Sequence, residues 1–254
     1  MRVIQAIFMA AVIAALAVTA AAQGKPPASI HFVADSEATE ADQTDSPPAL
    51  CNPCLFYGGD ITPSGSNAEG MADENTLSAP DTSTFAAFEV PEGVTAIITG
   101  ILFNIQASAN FDPRTASYEI RAGVSEGYGG TVIISGTRET QVQPTGRTFS
   151  GFKEYTVFIR LPDPESLNTG EYWFNITPAC TNGATDGSCY AGGMYFSNTT
   201  KETNAVRPER QPVGSMYLNS AILGYQWTNW CDPSLSSNPE QCKGGSFGLT
   251  GWEK

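Results

Sequence analysis

The segment KEYTVFIRL (153–161) alternates apolar and polar residues, and this pattern constrains the fold more than any other feature of the chain. Tyr155, Val157 and Ile159 fall on one face of an extended backbone. The residues between them fall on the other face, with Phe158 as the apolar exception. A period of two is typical of a half-buried β-strand, because successive side chains of a strand point to opposite faces.

Similar apolar segments recur along the chain. Strands are predicted at 84–90, 94–105, 117–124, 131–136, 153–161, 171–177, 193–198, 214–223 and 245–252. Glycine-containing turns such as EGYGG and NTG separate them, and helix is predicted at most as one turn near Ala68–Asn75. Many short strands divided by turns predict an all-β fold, namely a single antiparallel β-sandwich of the jelly-roll-like type.

The N-terminus predicts export. Residues 1–22 combine a basic start, an apolar run and a small-residue end, which is the pattern of a signal peptide. The apolar run is shorter than the roughly 20 residues that a membrane span needs. We therefore expect no membrane insertion and a protein secreted to the periplasm, the cell surface or the extracellular space.

Residues 23–50 are acidic, rich in proline and poor in apolar side chains. Such a composition buries too little surface to offset its ordering entropy, so the segment is predicted to be a disordered linker or a pro-segment. Within it, IHFV (30–33) has strand character and could become an added strand. The folded β-sandwich domain is then predicted to span 51–254.

Four segments resemble parts of uncharacterised bacterial secreted β-sandwich proteins. These segments are CNPCLFYGGD (51–60), FEVPEG (88–93), LNTGEYWFNI (167–176) and FGLTG (247–251). The resemblance covers most of residues 51–252. It implies an exported β-sandwich and carries no catalytic residue across.

Six cysteines in an exported chain predict up to three disulfides. Spacing suggests the pairs Cys51–Cys54, Cys180–Cys189 and Cys231–Cys242, and a bond from either of the first two cysteines to either of the last two stays open. A redox role for the C-x-x-C motif needs a helix N-terminus, which the following LFYGGD does not provide. A zinc site would need two more ligands, so a disulfide that marks the start of the domain is the favoured interpretation.

The net charge of the chain indicates which classes of partner it can bind. The chain has 26 acidic and 13 basic side chains and a formal net charge of −13. Such a surface repels nucleic acid and attracts cations. The oxygen-rich loop 58–77 therefore has two interpretations, a structural calcium site or an ordinary solvated loop. The candidate calcium ligands are Asp60, Asn67, Asp73, Glu74 and Asn75, with Glu69 beside them.

Histidine-dependent chemistry is disfavoured. The only histidine is His31, which lies in the predicted linker. Nucleophilic sites with a histidine base and histidine-ligated metal sites are therefore not expected. A glycosidase needs only two carboxylates, and Glu119, Glu154 and Glu171 lie in predicted strands. Each of the three alternates with inward apolar residues and is predicted to face solvent, so no catalytic residue is assigned.

Aromatic residues crowd into SMYLNSAILGYQWTNWC (215–231). Aromatic rings stack on the apolar faces of sugars, and Tyr225, Trp227 and Trp230, with Tyr217 nearby, are candidates for such a surface. Packing in the sandwich core is the competing interpretation, because large aromatic side chains bury most of their area.

Three functions are weighed. The first is a secreted, non-enzymatic binding module for a glycan or cell-surface polymer, with carbohydrate as the leading ligand class. The alternative is a structural protein, a matrix or filament subunit, that self-associates through its edge strands. The third is a polysaccharide-active enzyme that uses two carboxylates.

Overall fold

The described residues come from a computed structural model of the chain. They are residues 29–33, 47–61, 67–73, 82–107, 111–149, 151–179, 194–199, 204–214, 216–221, 223–230 and 244–254.

The described residues form strands and one short 3₁₀ turn, Pro208–Arg210. The strands are β1 (Ser29–Val33), β2 (Cys54–Tyr57), β3 (Asn67–Ala72), β4 (Ser83–Val90), β5 (Ala96–Ala107), β6 (Thr115–Ala122), β7 (Thr131–Glu139), β8 (Gln141–Phe149), β9 (Phe152–Leu167), β10 (Gly170–Ala179), β11 (Met194–Thr199), β12 (Met216–Ser220), β13 (Tyr225–Asn229), β14 (Gly244–Gly245) and β15 (Phe247–Glu253). Within this part of the chain, no helix is long and apolar enough to span a membrane.

The strands form two antiparallel sheets that pack face to face, so the predicted all-β sandwich is confirmed. The six-stranded sheet has the order β13-β12-β4-β10-β6-β7. In the nine-stranded sheet, β5 is central: β9 lies along one side, and β15 and β11 share the other. The chain passes between the sheets repeatedly, for example from β4 to β5 and from β5 to β6, in a jelly-roll-like manner.

The core lies between the sheets and consists of alternate residues of the facing strands. Ile101, Phe103 and Ile105 of β5 are completely buried against the other sheet. Phe247 of β15 stacks on Phe174 of β10, with ring centroids 6.1 Å apart, and so links the two sheets. The alternation that predicted the strands is therefore the alternation that builds the core.

Strand positions follow the prediction closely in the centre of each sheet and less closely at the margins. The structure has Asn67–Ala72 as a strand, so the helical turn proposed near Ala68–Asn75 is wrong for these residues. This strand pairs with β11 on one side and with Ser29–Val33 on the other. Pairing partners supplied by distant parts of the chain decide this conformation, and local residue preference does not reveal them.

The structure also differs from the linker interpretation at its apolar patch. Ser29–Val33, which contains IHFV, is an added strand at the edge of the nine-stranded sheet. The remaining residues of the predicted linker, except 47–50, lie outside the described residues.

Candidate functional site

Part of the outer face of the nine-stranded sheet is buried, although a sandwich face of this kind was expected to meet solvent. Tyr57 of β2, Leu102 of β5 and Phe158 of β9 form a small apolar cluster with Cys51 on this face, and Leu50 and Val206 pack against it. Cys51 and Cys54 form the predicted disulfide, with Cα atoms 4.6 Å apart. The other four cysteines lie outside the described residues.

Three charged side chains meet beside this cluster, next to the Tyr57 hydroxyl. Arg147 Nη1 lies 2.5 Å from Asp60 Oδ2, and Arg147 Nε lies 2.5 Å from Glu154 Oε2. The exposed fractions of the side chains are 17% for Arg147, 5% for Asp60 and 0% for Glu154. We call these three residues the buried ion triad. Glu154 was predicted to face solvent, and that prediction is wrong because Arg147 and Thr145 of β8 and Ser197 of β11 enclose its carboxylate.

Neutral hydrogen bonds complete the charged group. The Tyr57 hydroxyl lies 2.5 Å from Asp60 Oδ1, and Asn104 Nδ2 donates to the Tyr57 hydroxyl oxygen at 2.6 Å. Ser197 Oγ donates to Glu154 Oε1 at 2.8 Å, and Asn204 Nδ2 donates to Asp60 Oδ2 at 2.7 Å. Each triad carboxylate therefore has hydrogen-bond donors on both of its oxygens, as buried charges require.

The triad shifts the pKa of Arg147 and of the neighbouring Tyr57. Burial lowers the pKa of Arg147, but the attraction of the Glu154 and Asp60 carboxylates outweighs it, so the net shift is upward. Burial, followed by the Asp60 charge, raises the pKa of the Tyr57 hydroxyl well above its ordinary value. The arginine is therefore charged and the tyrosine neutral throughout the physiological range.

Replacing Tyr57 by phenylalanine should flatten the alkaline part of the stability profile. Because the folded state holds the Tyr57 proton more tightly, its contribution is complete below the unfolded-state pKa of 10.0 and is lost as pH rises above that value. Urea unfolding on both sides of pH 10.0 measures the slope. Tyr128, whose ring is 59% exposed, provides the control: Tyr128→Phe should keep the wild-type slope. An unchanged slope in Tyr57→Phe would contradict this assignment.

An open groove of about 500 Å³ lies beside the triad. Its walls include Pro48, Gln143, Pro144 and Asn204. Asp60 and Arg147 also line the groove, whereas Glu154 does not, and the Arg147 guanidinium bridges the two carboxylates. The triad's chemical role is to fasten segment 47–61 and strand β8 onto the sheet.

Sequence reasoning located the triad only in part. Asp60 was singled out as a calcium ligand and Glu154 as one of the strand carboxylates, whereas Arg147 was not singled out. The available signal was Phe158. This apolar residue lies on the same outer face of β9 as Glu154, where the alternation predicts polar residues. That apolar residue indicated that this outer face is covered.

The predicted calcium ligands that the structure describes belong to two separate groups. Asp60 belongs to the triad. Asp73 Oδ1 instead accepts hydrogen bonds from Asn175 Nδ2 at 3.1 Å and Thr177 Oγ1 at 3.0 Å, at the crossing from β3 to β4. Glu74, Asn75 and the side chain of Asn67 lie outside the described residues. No metal-sized group of acidic, histidine or cysteine side chains occurs in the described part of the chain, and the calcium site stays a prediction.

The structure also separates the three aromatic residues that were predicted to bind a ligand. Trp230 is 2% exposed and belongs to the core between the sheets, so its ring offers no face to a sugar. Tyr225 is partly buried against the same core. Trp227 lies elsewhere, on the outer face of the six-stranded sheet, beside the partly exposed Tyr217.

Trp227 is held in a specific position on that outer face. Its ring packs on Phe85 with centroids 4.7 Å apart, and the Arg121 guanidinium lies 4.7 Å from the ring centroid. A Cβ atom on Gly129 would come within 2.4 Å of the indole, so only glycine fits there. The backbone of Trp227 has φ +48°, which is costly for a residue with a bulky side chain. The surrounding contacts therefore hold a strained conformation in place.

Polar groups border this aromatic stack. The Asn229 backbone N–H donates to Glu126 Oε2 at 2.7 Å, which ties the β6–β7 turn to β13. Partial burial raises the pKa of Tyr217, the Glu126 and Glu171 carboxylates raise it further, and a hydrogen bond from the Asn229 side chain opposes them. Tyr217, Glu126 and Asn229 thus lie within interaction range of one another. We call these three residues, together with Trp227 and Arg121, the aromatic–polar face.

The two other strand carboxylates also lie on this sheet. Glu119 pairs with Arg121, and Glu171 lies directly opposite Glu89 on the neighbouring strand. Their side chains are partly exposed, as the alternation predicted.

No protein-family model, no curated protein and no solved structure matches this chain.

Proposed function

We propose that this chain is an exported, non-enzymatic β-sandwich that binds carbohydrate on the aromatic–polar face. The proposal rests on one observation: Tyr217, Asn229 and Glu126 interact with one another beside the Trp227–Arg121 stack. Elements that are distant in the sequence supply these groups, and the contacts around Trp227 hold its strained backbone conformation in place. Strain of this kind is often found at ligand sites, where the surrounding structure maintains it.

The chemistry of the face suits a sugar. Carboxylate and amide groups bind hydroxyls, and a carboxylate has about four lone-pair sites, of which the Asn229 N–H uses one on Glu126. The partly exposed Tyr217 ring adds apolar surface for the C–H groups of a pyranose. The acidic character of the face disfavours phosphorylated and sulfated ligands, so a neutral glycan is the expected class.

Two further observations support a binding role in an exported protein. The N-terminal pattern of residues 1–22 is that of a signal peptide. The triad carboxylates are buried and bridged by Arg147, and Glu119 is paired with Arg121. These pairings favour structural roles for the acids over acid–base catalysis, which requires a carboxyl group in contact with the substrate.

A glycan array followed by calorimetry tests the proposal. Tyr217→Ala should weaken binding of the array-selected glycan by about tenfold, since an aromatic contact with a ligand contributes on the order of 1–2 kcal/mol. Trp252→Ala is the matched control, because it removes an aromatic residue that is 46% exposed on the other sheet. Wild-type affinity in Tyr217→Ala, or no glycan bound at all, would refute the proposal.

A further inference from the structure

Strand β7 ends the six-stranded sheet and is paired on one side only. Strand β6 is the only partner of β7 in the described part of the chain. Most β7 side chains are exposed on both faces of the sheet. A strand in this position presents a row of unpaired backbone N–H and C=O groups along its outer edge.

This edge is also apolar. The described residues include five large apolar side chains that are exposed, and three of them lie at or just before β7: Tyr128 at 59%, Val132 at 41% and Ile133 at 42%. Soluble proteins usually protect edge strands with charged residues, prolines or short strands. Residues 131–137, TVIISGT, contain no charged residue and no proline.

The charge distribution singles out the same edge as the place where two copies can meet. The chain has a formal net charge of −13, so most surfaces of two copies repel each other. Strand β7 contains two charged residues, Arg138 and Glu139, at its C-terminal end. This edge is therefore neutral within an acidic protein, so two copies repel each other less through it than through an acidic surface.

We propose that β7 is a docking edge for β7 of a second copy of this chain. The two strands pair antiparallel about a two-fold axis and join the two six-stranded sheets into one continuous sheet. Backbone hydrogen bonds supply the register, and Val132 and Ile133 lose their exposed apolar surface to the partner.

The two-fold geometry is compatible with the sequence. In such a pair one residue lies opposite its own copy, and the neighbours are matched symmetrically about it. With the axis anywhere within 131–137, neither Arg138 nor Glu139 lies opposite a like charge. Self-pairing therefore brings no direct electrostatic penalty at the edge. The proposal is independent of carbohydrate binding.

Sedimentation velocity of residues 23–254 from low to high micromolar concentration tests the pairing. The wild type should show a reversible monomer–dimer equilibrium, and Ile133→Lys should raise the dimer dissociation constant by about tenfold or more, because it places a charge in the strand pair. Hydrogen exchange supplies the location: amides of 131–139 should exchange more slowly at high concentration. A wild type that stays monomeric, or exchange at these amides that does not depend on concentration, would overturn the proposal.

Val213→Lys is the matched control, since Val213 is 75% exposed and lies outside the strands. It adds the same charge and removes a similar apolar side chain without touching β7. Thermal unfolding of both variants verifies that they fold. Equal weakening of the dimer by the two substitutions, or no weakening by Ile133→Lys, would show that copies associate through another surface.

Discussion

Replacing Arg147 by alanine should destabilise the fold by about 3–5 kcal/mol, the range found when one partner of a buried ion pair is removed. Arg147 is the only cation that the structure places between Asp60 and Glu154 among the described residues. Without it, two carboxylates with exposed fractions of 5% and 0% would be left buried and uncompensated. Protonation of one carboxylate would limit the loss at low pH, so the destabilisation should be larger at neutral than at acidic pH.

Urea unfolding at neutral and acidic pH measures this effect. Arg114→Ala is the matched control, because the Arg114–Asp112 pair is 74% and 57% exposed and such pairs contribute little. If Arg147→Ala were no more destabilising than Arg114→Ala, the triad would not be fastening segment 47–61 to strands β8 and β9. A loss that did not depend on pH would attribute the effect to lost packing of the arginine side chain.

Replacing Phe247 by alanine should cost about 3–5 kcal/mol, the usual range for removing a buried phenylalanine ring. Phe247 is completely buried, and its ring contacts Phe56 at 4.9 Å, Phe103 at 5.7 Å and Phe174 at 6.1 Å between centroids. Because Phe174 belongs to the six-stranded sheet, the substitution opens a cavity between the two sheets and weakens their contact.

Trp252→Ala provides the comparison for this effect, since Trp252 lies on the same strand and is 46% exposed. It should cost well under half as much, because it leaves no enclosed cavity. Both free energies come from urea unfolding. Similar losses in the two variants would mean that strand β15 contributes through its backbone pairing and not through the Phe247 ring.

The central strands could be predicted because their signal is local. In β9 the alternate residues Tyr155, Val157 and Ile159 are apolar and belong to the core, and β5 is a long apolar run that is almost entirely buried. The edge strands of the sheets lack such a local sequence signal. β8, with its exposed and polar side chains, and β13, with mixed burial, were not predicted, because pairing with β9 and β12 stabilises them.

The candidate sites were less predictable. Tyr217 and Trp227 were singled out from the sequence as aromatic residues. Their side chains lie on the outer face of the sheet and that of Trp230 lies in the core, and only the tertiary structure shows this difference. Arg121 and Glu126 come from an unrelated segment of the chain and join them only through the pairing of β6 with β10 and the packing of the β6–β7 turn.

The sequence by itself determined that this chain forms an antiparallel β-sandwich and that Cys51 and Cys54 are near enough to pair, because strand alternation and a two-residue spacing are local properties. Only the tertiary structure decided which outer-facing residues are buried. Glu154 has the sequence pattern of a solvent-facing strand residue, yet Arg147 and Ser197 from two other strands bind its carboxylate and bury it. Side-chain period shows which face of a strand a residue occupies, whereas the burial of that face depends on distant segments that pack over it.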